Sequence, residues 1–369
     1  MKKACIFSFP RMENFHGYFI DSHDPAPYFP GKNGQAAYRS MVESKALDQL
    51  YRDRDPRYMR FIGDFINKFR NADLLVIGTY NPIHPEILSR EFKNTTKILC
   101  FGDDPFSTYI RGIAYLWAFD GAFYITPSYN ENFLFKDALK RWGCEHSHWW
   151  PLVFPNAHAR SGDELWPLAA PRLQAEKCGD AFFKDRDLDL IYVGAAYSSK
   201  MDRLARFKKK FGKRMQIYGR WPYAGYVGAL RGIKGKPALW SRITGISNQK
   251  RAELYCRTKI GINMHLSDMP METGNARMYE TPAHGMLLLC DKAGMNAHEQ
   301  IFTPGKEAVF YDSTDDAIDK IEYYLTHNDE RERIAKAGFE RAHRDYDGET
   351  NLKKFLDWTE SVPRKKYPL

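Results

Sequence analysis

The feature that most constrains this chain is the alternation of short, uninterrupted apolar runs with stretches of helical periodicity. In the first half the runs are 4–9, 74–78, 97–102 and 121–126; in the second they are 188–194, 214–219, 259–264, 286–290 and 308–311. A run such as Leu74-Leu75-Val76-Ile77 is apolar on both faces. A strand of that kind is at home in a parallel sheet covered by helices on both sides. Helices are expected at 35–52, 57–69, 200–211, 248–258, 276–284, 315–325, 329–345 and 351–360. A chain of 369 residues is too long for one compact core. The fold class read from the pattern is therefore α/β, with two successive Rossmann-like, doubly wound domains. The first is expected at 1–186, with a connector punctuated by Pro155, Gly162, Pro167, Pro171 and Gly179; the second is expected at 187–347, followed by a terminal segment 348–369. In such domains ligands bind outside the carboxyl ends of the strands, and the cleft between the domains is the default site.

Charge narrows the partners. The formal net charge is +9, yet residues 181–251 alone carry 17 basic and 4 acidic side chains. The excess lies mid-chain among apolar runs and aromatic residues, so it belongs to a folded surface and not to a tail, and it suits an anionic partner. No run approaches the roughly 18 apolar residues of a membrane span, and the apolar start, broken by Arg11 and Glu13, is too short for a signal-peptide core. Six widely spaced cysteines without a C-x-x-C pair read as reduced structural thiols, and the chain reads as cytoplasmic.

The stretch that carries chemistry is Met271-Glu272-Thr273-Gly274-Asn275-Ala276-Arg277-Met278-Tyr279-Glu280, continued by Thr281-Pro282-Ala283-His284-Gly285-Met286. Two glutamates stand eight positions apart across a glycine turn, with a helix starting near Asn275. A helix start offers unpaired N–H groups and the positive end of the dipole, which suits a phosphate. Arg277 in the first turn adds a fork of charged donors, and Glu280, one turn on, suits a vicinal diol such as a ribose. Taken alone, a capped helix flanked by solvated glutamates is the commoner meaning of such a pattern.

This ordered series resembles the donor-binding signature of GT-B glycosyltransferases, specifically the CgeB-like, spore-maturation-type group within the glycosyl transferase family 1-like superfamily. The resemblance extends upstream through 255–265 and downstream through 302–311, 317–325 and 329–338, and covers about 188–345. It implies a glycosyltransferase that moves a sugar from a nucleotide-diphosphate donor, UDP- or GDP-linked, to an acceptor hydroxyl without a metal. The second domain then holds the donor, the first receives the acceptor, and the terminal helix returns to the first domain. Glu280 is implied at the ribose, Glu272 near the donor sugar or diphosphate, and the backbone of Gly274, Asn275 and Ala276 around the phosphate. Gly194, ending its strand, and the cations Lys200 and Arg203 that follow also match the family; Arg242 is a further, weaker candidate for neutralising the departing diphosphate.

For the acceptor hydroxyl a carboxylate or histidine at the end of a first-domain strand is required if a base is used. Asp103 and Asp104, after the 97–101 run, fit that description, although Asp104 before Pro105 also reads as a turn or cap; His16 and His158 are further candidates. Families with two glutamates at this spacing commonly retain anomeric configuration, in which case the donor diphosphate itself takes the proton. Metal readings are weak. Asp53-Arg54-Asp55 and Asp185-Arg186-Asp187 do not follow apolar strands, and the cluster Cys144, His146 and His148 lacks a matching second group. Two other readings stay beside the leading one: a phage-type, DNA-modifying glycosyltransferase that uses the basic 181–251 surface, and a non-catalytic binder of nucleotide sugars or polyanions.

Overall fold

The apolar runs form the strands of two separate parallel sheets. The structure is a computed structural model that describes residues 1–6, 12–28, 47–78, 83–101, 112–125, 127–130, 133–151, 169–194, 198–219, 245–265, 275–292 and 300–365. The chain divides into two compact units, one of residues 1–151 and 352–369 and one of 152–351.

The first unit begins with β1 (Lys2–Ile6), β2 (Met12–Phe15) and β3 (Tyr18–Asp21), followed by helices α1 (Leu47–Arg52) and α2 (Pro56–Phe69). It continues through β4 (Leu74–Gly78), α3 (Pro85–Glu91), β5 (Thr96–Phe101), β6 (Gly121–Tyr124), the short pair β7 (Ser128–Asn130) and β8 (Phe133–Leu134), α4 (Phe135–Arg141) and β9 (Ser147–Trp149). Its seven-stranded sheet runs β2-β3-β1-β4-β5-β6-β9 and is parallel except for the β2–β3 hairpin. Asp55 caps α2, its side chain accepting the Arg57 and Tyr58 N–H groups, and Pro56 occupies the first turn. Tyr58, Phe61, Phe65 and Phe69 then lie on the sheet face formed by Leu75, Ile77 and Leu99.

The stretch after the first apolar run, with Pro25, Pro27, Pro30, Gly31 and Gly34, reads in the sequence as a long loop, but 12–21 of it form the β2–β3 hairpin. Its turn, His16-Gly17, has φ of 44° and 82°, the doubly positive geometry that matches strand twist in a tight hairpin.

The second unit contains α5 (Ala169–Cys178), α6 (Ala181–Lys184), β10 (Leu188–Val193), α7 (Ser198–Phe211), β11 (Met215–Tyr218), α8 (Asn248–Arg257) and β12 (Thr258–Asn263). α9 (Ala276–Ala283), β13 (Leu287–Asp291), β14 (Val309–Tyr311), α10 (Thr314–Thr326) and α11 (Asn328–Asp345) complete it. Its sheet is parallel throughout, in the order β11-β10-β12-β13-β14. Numbered within the unit this is 2-1-3-4-5, a doubly wound order whose direction reverses between β10 and β12. The segment before β10, expected with the first domain, packs in the second: Phe182 and Phe183 of α6 meet Phe339 of α11, each ring pair 5.6 Å apart. The division therefore falls near 151 and not at 186. α12 (Gly348–Ser361) starts in the second unit and from Leu352 onward belongs to the first. There Phe355 packs on Trp150 at 4.6 Å, and the Lys365 N–H donates to Asp120.

One buried cation ties the second unit together. Arg186 donates to the carbonyls of Phe182, Tyr255, Thr258 and His284, and so joins the end of α6, the α8–β12 junction and the α9–β13 junction. Burial brings this guanidinium down to about 10. Gly285 makes room for it: φ is +73°, and a Cβ there would lie 2.5 Å from Arg186 Nη2.

All six cysteines are unpaired, and no described helix is long and apolar enough to cross a membrane. Replacing Arg186 by Met strips hydrogen bonds from four carbonyls and should destabilise the second unit by about 3 kcal/mol or more in urea unfolding. An unchanged midpoint would refute the clamp.

Candidate functional site

The carboxyl edge of the second sheet gathers the polar side chains that the apolar strands exclude. β10 is followed by Gly194, whose N–H donates to the Tyr218 carbonyl at 2.9 Å. Gly219, at φ +153°, lies so close that a Cβ on it would collide with the Gly194 carbonyl, and one on Gly194 would meet the Arg277 guanidinium at 3.1 Å. The two glycines thus leave space beside Arg277.

Arg277, in the first turn of α9, lies with its guanidinium 4.5 Å from the Tyr192 ring centroid. Nη2 reaches the Met264 carbonyl at 3.5 Å, while Nη1 is buried with no hydrogen-bond partner. Asn275 stands at the N-cap but does not cap: its Nδ2 donates to the same Met264 carbonyl at 3.3 Å, and its Oδ1 is buried and unmatched. Among the described residues a helix start without a side-chain cap thus stands beside a buried and unsatisfied guanidinium nitrogen, an arrangement whose chemistry suits an anion. One turn further, Glu280 is 5% exposed and 3.4 Å from Arg251 of α8. Burial raises its carboxyl, and Arg251 and Arg277 act against that rise.

A second cluster fixes the strand ends. The His265 backbone N–H donates to both oxygens of Asp291 at 3.1 and 3.0 Å, and its Nδ1 lies 2.7 Å from Oδ1. Arg203 donates to Asp291 Oδ2 at 2.9 Å and to the His265 carbonyl at 3.3 Å. Burial works to raise the Asp291 carboxyl, but His265 and Arg203 outweigh it and hold it at about 2. The carboxylate is thereby ionised, so Nδ1 of His265 carries the proton. His265, Cys290 and Asp291 place their ligand atoms within 4.8 Å of one another. That set does not suit a cation. Asp291 is committed to Arg203 and His265, and burial pushes the Cys290 thiol well above its ordinary value.

Of the residues singled out in the sequence, Gly194, Asn275, Ala276, Arg277 and Glu280 share this edge. Lys200 is buried in the first turn of α7. Arg203 is drawn into the pair with Asp291, where it orders the strand ends. Glu272, Gly274, Arg242, Asp103, Asp104 and His158 lie outside the described residues. His16 is misplaced for catalysis: it is exposed in the β2–β3 turn, where the Gly17 carbonyl accepts from the Lys2 N–H, at the amino end of the parallel strands. His148, 5.1 Å from Trp358, is a packed ring that burial lowers to about 4, and Cys144 donates to the His146 carbonyl. Asp187 pairs with Arg257.

The basic stretch also changes meaning once folded. Arg206 pairs with Asp315, Lys210 with Glu322, Arg214 with Asp189, Arg203 with Asp291 and Arg251 with Glu280. Four of these five acids come from the C-terminal part of the chain, so part of the excess read along the sequence is neutralised in space. His265, Asp291 and Arg251 carried no assigned role in the sequence. A polar residue closing an apolar strand is the signal that marks the first two, and Arg251 has none.

The Asp291 carboxyl is lower in the folded state than its ordinary value. It therefore stabilises the fold above the ordinary range, by about 2 kcal/mol, and that contribution is lost as pH falls from about 4 towards 2. Acid unfolding of Asp291→Asn should lack this component; a pH–stability curve parallel to that of the wild type would contradict it.

Residues 201–357 match the family model described as glycosyl transferase-like. Among solved structures, the chain resembles HepE of Anabaena in complex with UDP-glucose at 12% identity over 98% of this chain and 100% of that one, TM-score 0.59. An α-glucosyltransferase in complex with UDP-glucose and DNA containing an abasic site is similar at 11% identity, 97% and 99% coverage and TM-score 0.59. So is sucrose-phosphate synthase from Thermosynechococcus elongatus, at 12%, 98%, 99% and 0.59. No curated protein sequence matches the chain. The chain thus has the GT-B fold, and its residues 201–357 match a glycosyl transferase-like family model.

Proposed function

We propose that this protein is a glycosyltransferase of the GT-B type that takes a sugar from a nucleotide-diphosphate donor, UDP-linked in the first instance, bound at the carboxyl edge of the second sheet. The observation that carries the reading is the uncapped start of α9 with the unsatisfied Arg277 Nη1 beside Gly194, one turn before the buried Glu280. The helix start and Arg277 bind the diphosphate, and Glu280 accepts the ribose hydroxyls. Matches to structures that hold UDP or UDP-glucose support the reading.

Breaking the glycosidic bond moves the electron pair to the terminal phosphate oxygen, and positive charge placed there beforehand lowers the barrier. Arg277, the α9 dipole and Lys200 supply it, so we assign no metal to the reaction. The acceptor hydroxyl attacks the anomeric carbon, and its proton leaves to a donor phosphate oxygen, which fits transfer with retention. Glu272 and the first-domain acids Asp103 and Asp104 remain our candidates near the sugar and the acceptor. Within the superfamily, the run 255–286 favours the CgeB-like group. A DNA acceptor draws less support, because part of the described basic stretch is internally paired.

Titration calorimetry with UDP should show binding to the wild type and none to Glu280→Ala; equal affinity would sink the ribose assignment. Arg277→Leu should weaken UDP about tenfold to a hundredfold, the worth of a charged hydrogen bond, and weaken uridine far less. Equal losses for UDP and uridine would move Arg277 away from the phosphates.

A further inference from the structure

The Glu280 carboxylate sits in a place that disfavours its charge, and it is held there by a residue of a neighbouring helix. Ser247 caps α8, its Oγ accepting the Lys250 N–H at 3.1 Å, which sets Arg251 one turn in from the carboxyl edge. From there Nη2 reaches Glu280 Oε1 at 3.4 Å, the arginine side chain 22% and the glutamate side chain 7% exposed. The spacing is not left to the side chains. The carbonyls of Tyr255, at the end of α8, and of His284, just past α9, both accept from Arg186, so the two helices are pinned to one guanidinium.

The groups facing Glu280 are few among the described residues. Arg277 and His284 come from its own segment, and Arg251 and Tyr255 from α8. His343 of α11 is held on the Ala283 carbonyl at 2.9 Å. Tyr255 is buried with its hydroxyl raised and remains neutral; His284, its Nδ1 on the Glu280 carbonyl at 2.7 Å, is lowered by burial to about 3 and is neutral too. Burial also lowers His343. The cations beside the carboxylate are therefore Arg251 and Arg277, and Arg277 is turned over the Tyr192 ring towards Gly194. Arg251 occupies Oε1, and among the described residues Oε2 receives no hydrogen bond. A carboxylate has room for several donors.

We infer that Arg251 is a positioning residue for the donor: its guanidinium fixes Glu280 as the anionic acceptor that the ribose hydroxyls bind. The inference rests on the donor-site reading above. Without Arg251 the carboxyl protonates in its apolar surroundings, becomes a poorer double acceptor and loses the nucleotide. Burial raises the Glu280 carboxyl and the nearby Arg251 lowers it, so removing the cation moves the titration further up.

The test is binding of UDP and GDP, with uridine and guanosine alongside, between pH 5.5 and 8.5 to the wild type, Arg251→Met, Arg251→Gln, Arg251→Lys and Glu280→Gln. Far-UV circular dichroism selects the folded variants, and the Gln substitution serves if Met does not fold. The wild type should show weak pH dependence. Arg251→Met or Arg251→Gln should bind about tenfold or more weakly at pH 6 and recover towards wild type at pH 8.5. The loss should be equal for nucleotide and nucleoside, because it lies at the ribose. Arg251→Lys should restore most of the affinity, and Glu280→Gln should be weak at every pH. A pH-independent loss, a loss confined to the diphosphates, or wild-type affinity in the Met and Gln variants overturns the role of Arg251 and leaves the donor site standing. A wild type that binds none of the four ligands overturns the donor site and the inference together.

Discussion

A single guanidinium holds the second unit in register. Arg186 gives its protons to carbonyls from four places in the chain, and three of them are the points where a helix ends and hands over to the next element. Helix ends leave carbonyls without partners, and burying them unpaired is expensive. An arginine is suited to the task because its planar fork carries five donors. With Phe182 at 4.9 Å under the guanidinium and Gly285 making room on the other side, the charge is held without a carboxylate partner. The consequence reaches the far edge of the sheet. α8 and α9 both start at the carboxyl edge and end at this clamp, so fixing their last turns fixes where Arg251 and Glu280 meet.

Strand order determines why polar groups collect at that edge. In the 2-1-3-4-5 order the chain reverses direction of travel after β11, and the crossovers that flank β10 and β12 diverge. Gly194 and Gly219 close the β10–β11 side with bare backbone, while Met264 and His265 extend the chain beyond the last β12–β13 pair, Asn263 with Cys290. His265 and Arg203 converge on Asp291, which binds the ends of β12 and β13 to α7 in one ionised cluster. The Met264 carbonyl, one residue before that cluster, orients both Asn275 and Arg277. The ion cluster therefore fixes the carbonyl that orients Asn275 and Arg277.

Much of this fold was legible because its strands are short and apolar on both faces. β4 and β13 are buried almost throughout, and the runs at 74–78 and 286–290 mark them to within a residue. The start of α9 was legible for a different reason: the glycine turn, Asn275 and Arg277 form a local pattern within one turn of helix. The β2–β3 hairpin was not, since its turn depends on His16 adopting a positive φ that few sequences announce. In the sequence Arg186 is only the middle of an acidic pair, because the Tyr255 and His284 carbonyls it bonds lie 69 and 98 residues away and are backbone atoms with no side-chain signature. Arg251 likewise acquires its meaning only when α8 and α9 are side by side.

The local charge excess shows the same limit from another direction. Along the sequence, 17 basic residues stand against 4 acidic ones between 181 and 251. In the folded unit α7 and α10 exchange ion pairs through Arg206 with Asp315 and Lys210 with Glu322, so one segment's surplus answers another's deficit. Such exposed pairs add little stability individually, but they remove charge that a polyanion would otherwise meet. Among the described residues six buried side-chain atoms lack hydrogen-bond partners: Arg277 Nη1, the side-chain oxygens of Asn263 and Asn275, the Tyr279 hydroxyl, His284 Nε2 and Arg341 Nε. The first three lie together where β12 ends and α9 starts. Those three atoms stand at the carboxyl edge, where a ligand with both acceptors and donors can relieve them. A diphosphate joined to a sugar has that chemistry.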